Sequence, residues 1–203
     1  YEDITAVAAK HHMEPDVLYD YASFLYNQRQ YQKSLEIAQR LEHWYALEPD
    51  TSAVRRAKLY NLIGLDHSAQ NDFLTAKKAY QEVLKIYRDL AGKDSDVYQL
   101  NLANSCNNLA ILFFDIGSFK EAEKLYREAL KIHRDLAEKS SDAYLPYLAR
   151  SCNNLAYLLS DIGSFKEAEE LYREALKIRR NLAEENPKVY LPKLQLVCDN
   201  LTA

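Results

Sequence analysis

The sequence predicts an all-α solenoid of antiparallel helix pairs, and three observations carry that reading. The first is spacing. Cys106, Cys152 and Cys198 fall 46 residues apart, twice, and sliding the chain by that interval superimposes long identical runs. SCNNLA at 105–110 lands on 151–156, DIGSFKEAE at 115–123 on 161–169, and LYREALKI at 125–132 on 171–178. A period of this size is the mark of stacked repeats, each burying its apolar face against the next. The second is helical periodicity inside each interval. The third is composition: four Gly and five Pro in 203 residues leave too few turn formers for the many short strands of a sandwich or barrel.

Taken in chain order, residues 1–13 read as a short helix, the remnant of a preceding repeat. The first repeat covers 14–50, with Pro15 suited to an opening helical turn. It aligns loosely with the second repeat, 51–96, at an offset of 42. The third and fourth, 97–140 and 141–186, are close copies, and 187–203 supplies the first helix of an incomplete fifth. In the third repeat Cys106, Leu109, Ala110 and Phe113 recur at i, i+3, i+4 and i+7, one face of a helix. Gly117 then ends that helix and Ser118 begins the next, with Glu121 three residues on in capping-box spacing. The second helix turns Ala122, Leu125, Tyr126, Ala129, Leu130 and Ile132 inward. Its outer face pairs Glu123 with Arg127 and Lys124 with Glu128, read as a solvated surface. Tyr80, Tyr126 and Tyr172 are repeat equivalents and read as packing residues with their hydroxyls at a rim.

Composition excludes several functions. No stretch approaches the ~20 apolar residues of a membrane span. A net charge of -4 and a pI near 5.8, with only short basic clusters, argue against nucleic acid. Equivalent cysteines on stacked repeats sit about 10 Å apart, too far for zinc or a disulfide, so all three read as buried thiols. Free thiols favour a reducing compartment, hence a cytoplasmic location. His11-His12 lacks the H-E-x-x-H spacing, and no G-x-S-x-G or phosphate-binding loop occurs. The expectation is therefore a protein that is not an enzyme and needs no cofactor or metal.

Leu109-Ala110, Phe113, Gly117, Phe119, Ala122, Tyr126 and Ala129 together resemble the tetratricopeptide repeat, and Leu155-Ala156, Leu159, Gly163, Phe165, Ala168, Tyr172 and Ala175 repeat the pattern. The likeness spans nearly the whole chain. The interval exceeds the usual ~34 residues, Cys stands in place of the family's Trp, and Arg134 and Arg180 replace its closing Pro. With its NNLA element, the chain resembles the long kinesin-light-chain-type and bacterial repeats. The resemblance implies a right-handed superhelix whose first helices line a concave, ligand-binding groove.

On that face the third repeat carries Asn104, Asn108, Ile111 and Asp115, with Asn107 on a flank. The fourth carries Arg150, Asn154, Tyr157 and Asp161, with Asn153 on the flank, and Asn200 follows in the fifth. An amide can bond a peptide backbone both ways, Arg150 can take a carboxylate, and Tyr157 offers a flat platform. The asparagines equally suit bonds between neighbouring repeats. The expected role is a scaffold for a protein or peptide segment. A structural spacer, or the sensory part of a larger signalling protein, are the alternatives. Tyr1-Glu2-Asp3 suggests an excised piece. An uncapped last helix (Leu194, Val197, Cys198, Leu201) suggests continuation of the chain or self-association.

Overall fold

The structure is a computed structural model that describes residues 15–48, 52–185 and 187–191, apart from the side chains of 141 and 142. The expected helix at 1–13, Cys198, Asn200 and the remaining apolar positions of the last helix lie outside the described residues. Eight helices are described between Pro15 and Glu185: α1 (Pro15–Asn27), α2 (Tyr31–Leu47), α3 (Ala53–Ala69), α4 (Phe73–Lys93), α5 (Ser95–Asp115), α6 (Phe119–Lys139), α7 (Ser141–Asp161) and α8 (Phe165–Glu185). The fold is all-α, built of helices in sequential antiparallel pairs. None of the described helices is long and apolar enough to cross a membrane.

Each pair turns on one residue held at positive φ. Gly117 (φ 74) and Gly163 (φ 83) occupy this place in the later repeats, Asn71 (φ 61) and Arg29 (φ 58) in the earlier ones. The hydrogen bonds are the same four times over. At Gly117, the Ser118 N–H reaches back to Phe113 O at 2.7 Å and the Gly117 N–H to Phe114 O at 2.9 Å. At Arg29, the Gln30 N–H bonds Leu25 O at 2.9 Å and the Arg29 N–H bonds Tyr26 O at 2.8 Å. This is the Schellman arrangement, which satisfies the last carbonyls of a helix and needs a left-handed residue. Glycine adopts that conformation without strain and Asn tolerates it, but an arginine does not.

The capping box expected at Ser118 does not form: Ser118 stands at the N-cap, yet its side chain makes no capping bond. The Schellman turn already fixes this entry, and backbone φ -85, ψ 63 does not aim the hydroxyl at the first turn. Side-chain caps occur instead at Ser52, Asp72 and Asp94, which accept from the N–H groups of Arg55, Thr75 and Val97.

The contacts divide the chain into two compact units, one running through Asp89 and the other from Leu90. In the N-terminal unit, Ala22 and Leu25 of α1, Ala38 and Leu41 of α2 and Leu59 and Leu62 of α3 share one core. Gly64 is required there, because a Cβ at this position would lie 2.6 Å from the ring of buried Tyr80.

A carboxyl is buried beside that core. Asp66 is fully buried, where the later repeats place Leu112 and Leu158, and it meets Ser34 where they place Ala122 and Ala168. Ser34 Oγ lies 2.7 Å from Asp66 Oδ2 and 3.0 Å from Ala22 O. The Ser34 hydroxyl is the donor of both contacts, its one proton shared between the Asp66 carboxyl and Ala22 O. Burial pushes the Asp66 carboxyl up to about 6, against the opposing Ser34 bond.

In the C-terminal unit α5, α6, α7 and α8 pack in succession. The residues expected inward are inward: Cys106, Leu109, Ala110 and Phe113 on α5, and Ala122, Leu125, Tyr126, Ala129 and Leu130 on α6 are buried. Cys106 and Cys152 are buried free thiols. Ile132 is a correction. It is only half-buried, and the next residue, His133, takes the inward position in full.

Two outcomes follow. Arg29→Gly should stabilise the chain by about 1 kcal/mol by relieving the left-handed conformation, read as a higher thermal midpoint. For Asp66, the folded chain keeps its proton to higher pH than the unfolded chain, whose carboxyl titrates near 3.9. Its stability contribution is therefore complete below about pH 4 and lost as pH rises through about 6. Asp66→Asn, a permanently neutral stand-in, should flatten this decline and raise stability at neutral pH by roughly 2 kcal/mol, measured by denaturant melts across that range.

Candidate functional site

The candidate site is the outward strip of α5 and α7. The opposite faces, Cys106, Leu109, Ala110 and Phe113 on α5 and Cys152, Leu155, Ala156 and Leu159 on α7, are locked in the core. That burial fixes the rotation of both helices. Asn104 and Asn108 are half-buried, Ile111 is 43% exposed, and Asp115 is exposed at the end of α5. On α7, Arg150 is exposed, Asn154 half-buried, Tyr157 51% exposed, and Asp161 exposed at the helix end.

The structure joins these residues in two places. At one end the Arg150 guanidinium donates to Asn104 Oδ1 and lies over the Tyr147 ring, 5.6 Å from its centroid. Both partners are neutral, so its charge is left for an anion. Further along, Tyr157 meets Phe114 at 5.3 Å between centroids, and Phe114 meets Phe119 at 5.6 Å. These tilted contacts build an aromatic ledge from rings of α5, α6 and α7. Desolvation raises the Asp115 carboxyl, and burial, aided by the Asp115 charge, raises the Tyr126 phenol beneath it.

Asn107 and Asn153 do not line the strip. Both are buried, Asn107 to 2% exposure, and Asn107 Nδ2 donates to Ser151 Oγ at 3.1 Å. Asn107 is thus a bond between repeats: the flank of α5 it occupies is covered by α7. The same Ser151 Oγ lies 2.8 Å from His133 Nδ1. Desolvation first, and the Arg150 charge second, push the imidazole down to about 4, so it is neutral and Nδ1 accepts the Ser151 proton. A Ser–His pair at this distance is also how a nucleophile meets its base. Here both side chains have no exposure at all, which denies a substrate access. Among the described residues no group of three His, Cys, Asp or Glu side chains could hold a metal ion.

Sequence reasoning missed the ledge residues Phe114 and Phe119, whose signal was their position around the turn. It also missed cross-repeat ion pairing. Arg127 bonds Glu123 within α6, as the i,i+4 spacing suggests, and forks onto Glu167 of α8 at 2.6 and 2.9 Å. Arg134 likewise reaches Glu174 at 2.6 Å. Both cross-repeat pairs share a separation of 40 residues, a spacing legible in the sequence once the period is known.

The tetratricopeptide repeat matches residues 56–96, 102–141 and 148–187, more than half of the chain. The chain belongs to the tetratricopeptide-repeat family. No curated protein matches it. Among solved structures, BtubC (BKLC) from P. vanneervenii is similar with a TM-score of 0.76 and 19% identity, over 97% of this chain and 75% of that one. The Rap conjugation gene regulator of plasmid pLS20, solved with the Phr* peptide, has a TM-score of 0.61 and 20% identity over 87% of this chain and 45% of that one. TPR-like repeats described as kinesin light chain from Podosopora anserina give 0.65 and 16%, over 94% and 96%. At these identities the likeness is one of fold.

Within this tetratricopeptide array the buried Asn107–Ser151–His133 chain links the first and second helices of one repeat to the first helix of the next. Asn107→Ala removes one donor to Ser151 and leaves a small void. It should cost about 1–2 kcal/mol, measured by chemical denaturation, with no change at the exposed strip.

Proposed function

We propose that the chain is a non-catalytic scaffold that binds an extended peptide or protein segment along the α5–α7 strip. One observation supports this above others: the strip is charged oppositely at its two ends and has amides and rings between. Arg150, with neutral partners, stands at one end, and Asp115 and Asp161 stand at the other. From Arg150 to Asp161 the helix rises about 16 Å, the length of about five residues of extended chain. A segment with an acidic group near Arg150 and a basic group near Asp161 fits that polarity. Asn108 and Asn154, half-buried between the ends, bring amide side chains within reach of its backbone. Ile111, Phe114 and Tyr157 give its apolar side chains a surface. The Rap regulator solved with its Phr* peptide supports a peptide ligand for this fold. A few such bonds and one charged contact suit micromolar affinity.

The test is selection from a displayed library of random peptides, followed by calorimetry with the winners. Selected peptides should carry an acid and a base about five residues apart. The double variant Asn108→Ala, Asn154→Ala should bind them roughly 10-fold or more weakly while melting at the same temperature. If the double variant binds as the parent does, or loses its fold instead, the reading fails.

A further inference from the structure

The N-terminal unit carries a second feature. A cavity of about 430 Å³ opens between α2 and α4 over α3, within the size range of small-ligand sites. Its floor is apolar: Leu35, Ile63 and Ala79 are buried. At one end stand Glu42 of α2 and Glu82 of α4, with half-buried Tyr60 between them. Both carboxylates act on the Tyr60 phenol, and Glu42 shares a hydrogen bond with it. The Arg56 charge opposes them at the Tyr60 phenol; of the other lining residues, Lys78 and His67 lie farther along α4 and α3, and His67 meets Asp72 at 3.0 Å.

The C-terminal unit shows what such a groove holds. The left-handed turn residues 29, 71, 117 and 163 set the register between repeats. In that register Glu82 corresponds to Glu174 and Tyr60 to Cys152. Glu174 receives the Arg134 guanidinium at 2.6 Å, with Cys152 beside the pair. The position of Arg134 is Ala46 in the first repeat, and the forked Arg127–Glu167 pair is replaced by Gln39 and Thr75. Neither of the two ion pairs of the later groove can therefore form between α2 and α4. The first groove therefore keeps the acceptor and has lost both internal arginines, and a cavity stands where the later groove is bridged.

We propose that the α2–α4 groove binds an arginine side chain of a partner protein segment, with its guanidinium between Glu42 and Glu82 over Tyr60 and its methylenes on Leu35, Ile63 and Ala79. Arginine fits better than lysine because its planar fork can reach both carboxylates and stack on the ring. The aliphatic stem matches the floor. The partner surface is thus distinct from the α5–α7 strip and acts independently of it.

The experiment is an NMR titration of the full chain with the blocked tripeptide acetyl-Gly-Arg-Gly-amide, and with the same peptide carrying neutral, isosteric citrulline. The arginine probe should shift the amides around Tyr60, Ile63 and Ala79 with millimolar affinity, and citrulline should bind at least roughly 10-fold more weakly. Glu82→Gln should bring the arginine probe down to the citrulline level. Ala46→Arg restores the internal guanidinium, so it should abolish probe binding and raise the melting temperature. Asn108→Ala with Asn154→Ala should change nothing here. Shifts elsewhere, equal binding of citrulline, or full binding by a folded Ala46→Arg variant would overturn the assignment.

Discussion

Everything in this chain is organised by a residue that must turn left. At 29, 71, 117 and 163 the backbone takes positive φ, the two reverse hydrogen bonds of a Schellman turn form, and the next helix runs back along the first. The identity of the residue varies from Gly to Asn to Arg while the geometry stays fixed. Backbone hydrogen bonding at the helix end, reinforced by packing of the returning helix, outweighs the local preference of Arg29. Once the turn is set, the apolar stripe of each helix faces its partner. The register of every later contact, apolar or ionic, follows from it. Contacts at a separation of 40 residues, such as Arg127 to Glu167 and Arg134 to Glu174, exist because the turns repeat faithfully.

Against this regular background each unit buries a titratable group, Asp66 in one and His133 in the other, at a position that varies among the repeats. Asp66 replaces a leucine in the N-terminal unit and holds its proton to about 6 because burial disfavours the anion. His133, in register with Tyr87 and Arg179, is held neutral down to about 4 by the same desolvation, with Arg150 adding repulsion. The consequences have opposite sign. A carboxyl whose folded value is raised loses its stabilising contribution as pH climbs. An imidazole whose folded value is depressed loses its contribution as pH falls from about 6.5 toward 4. Acid therefore strains the C-terminal unit where it favours the N-terminal one.

The architecture was legible because periodicity is a property of the sequence itself. Cys106, Leu109, Ala110 and Phe113 announce a buried face, and the structure buries them. Less legible was anything decided by a neighbouring repeat. A helical wheel puts Asn107 on a flank but cannot say whether that flank is covered; α7 covers it, and the amide turns to Ser151. The same holds for Ile132 and His133, adjacent residues at the edge of one stripe, where the packed neighbour selects the histidine. Ser118 had the right spacing for a capping box, yet the backbone angles left by the turn before it aim the hydroxyl elsewhere. The helical wheel groups the strip residues on one side of each helix. The strip's organisation, an arginine against an amide and a ledge of three rings, required side chains brought together from residues as far apart as Phe114 and Tyr157.

Close copies and diverged copies divide the work of such an array. Where repeats are nearly identical, as at 101–146 and 147–192, Arg127 and Arg134 find the carboxylates that the period supplies, and the groove between second helices is bridged from within. Where a copy has drifted, the partners no longer match. Ala46 leaves Glu82 without the guanidinium its counterpart enjoys, Thr75 stands where Glu167 would be, and Tyr60 occupies the place of a cysteine. Repetition supplies the stacking energy, while divergence from the repeat opens cavities and leaves charges available at the surface. In a solenoid, recognition is therefore to be sought where the internal symmetry fails, and the first groove of this chain is such a place.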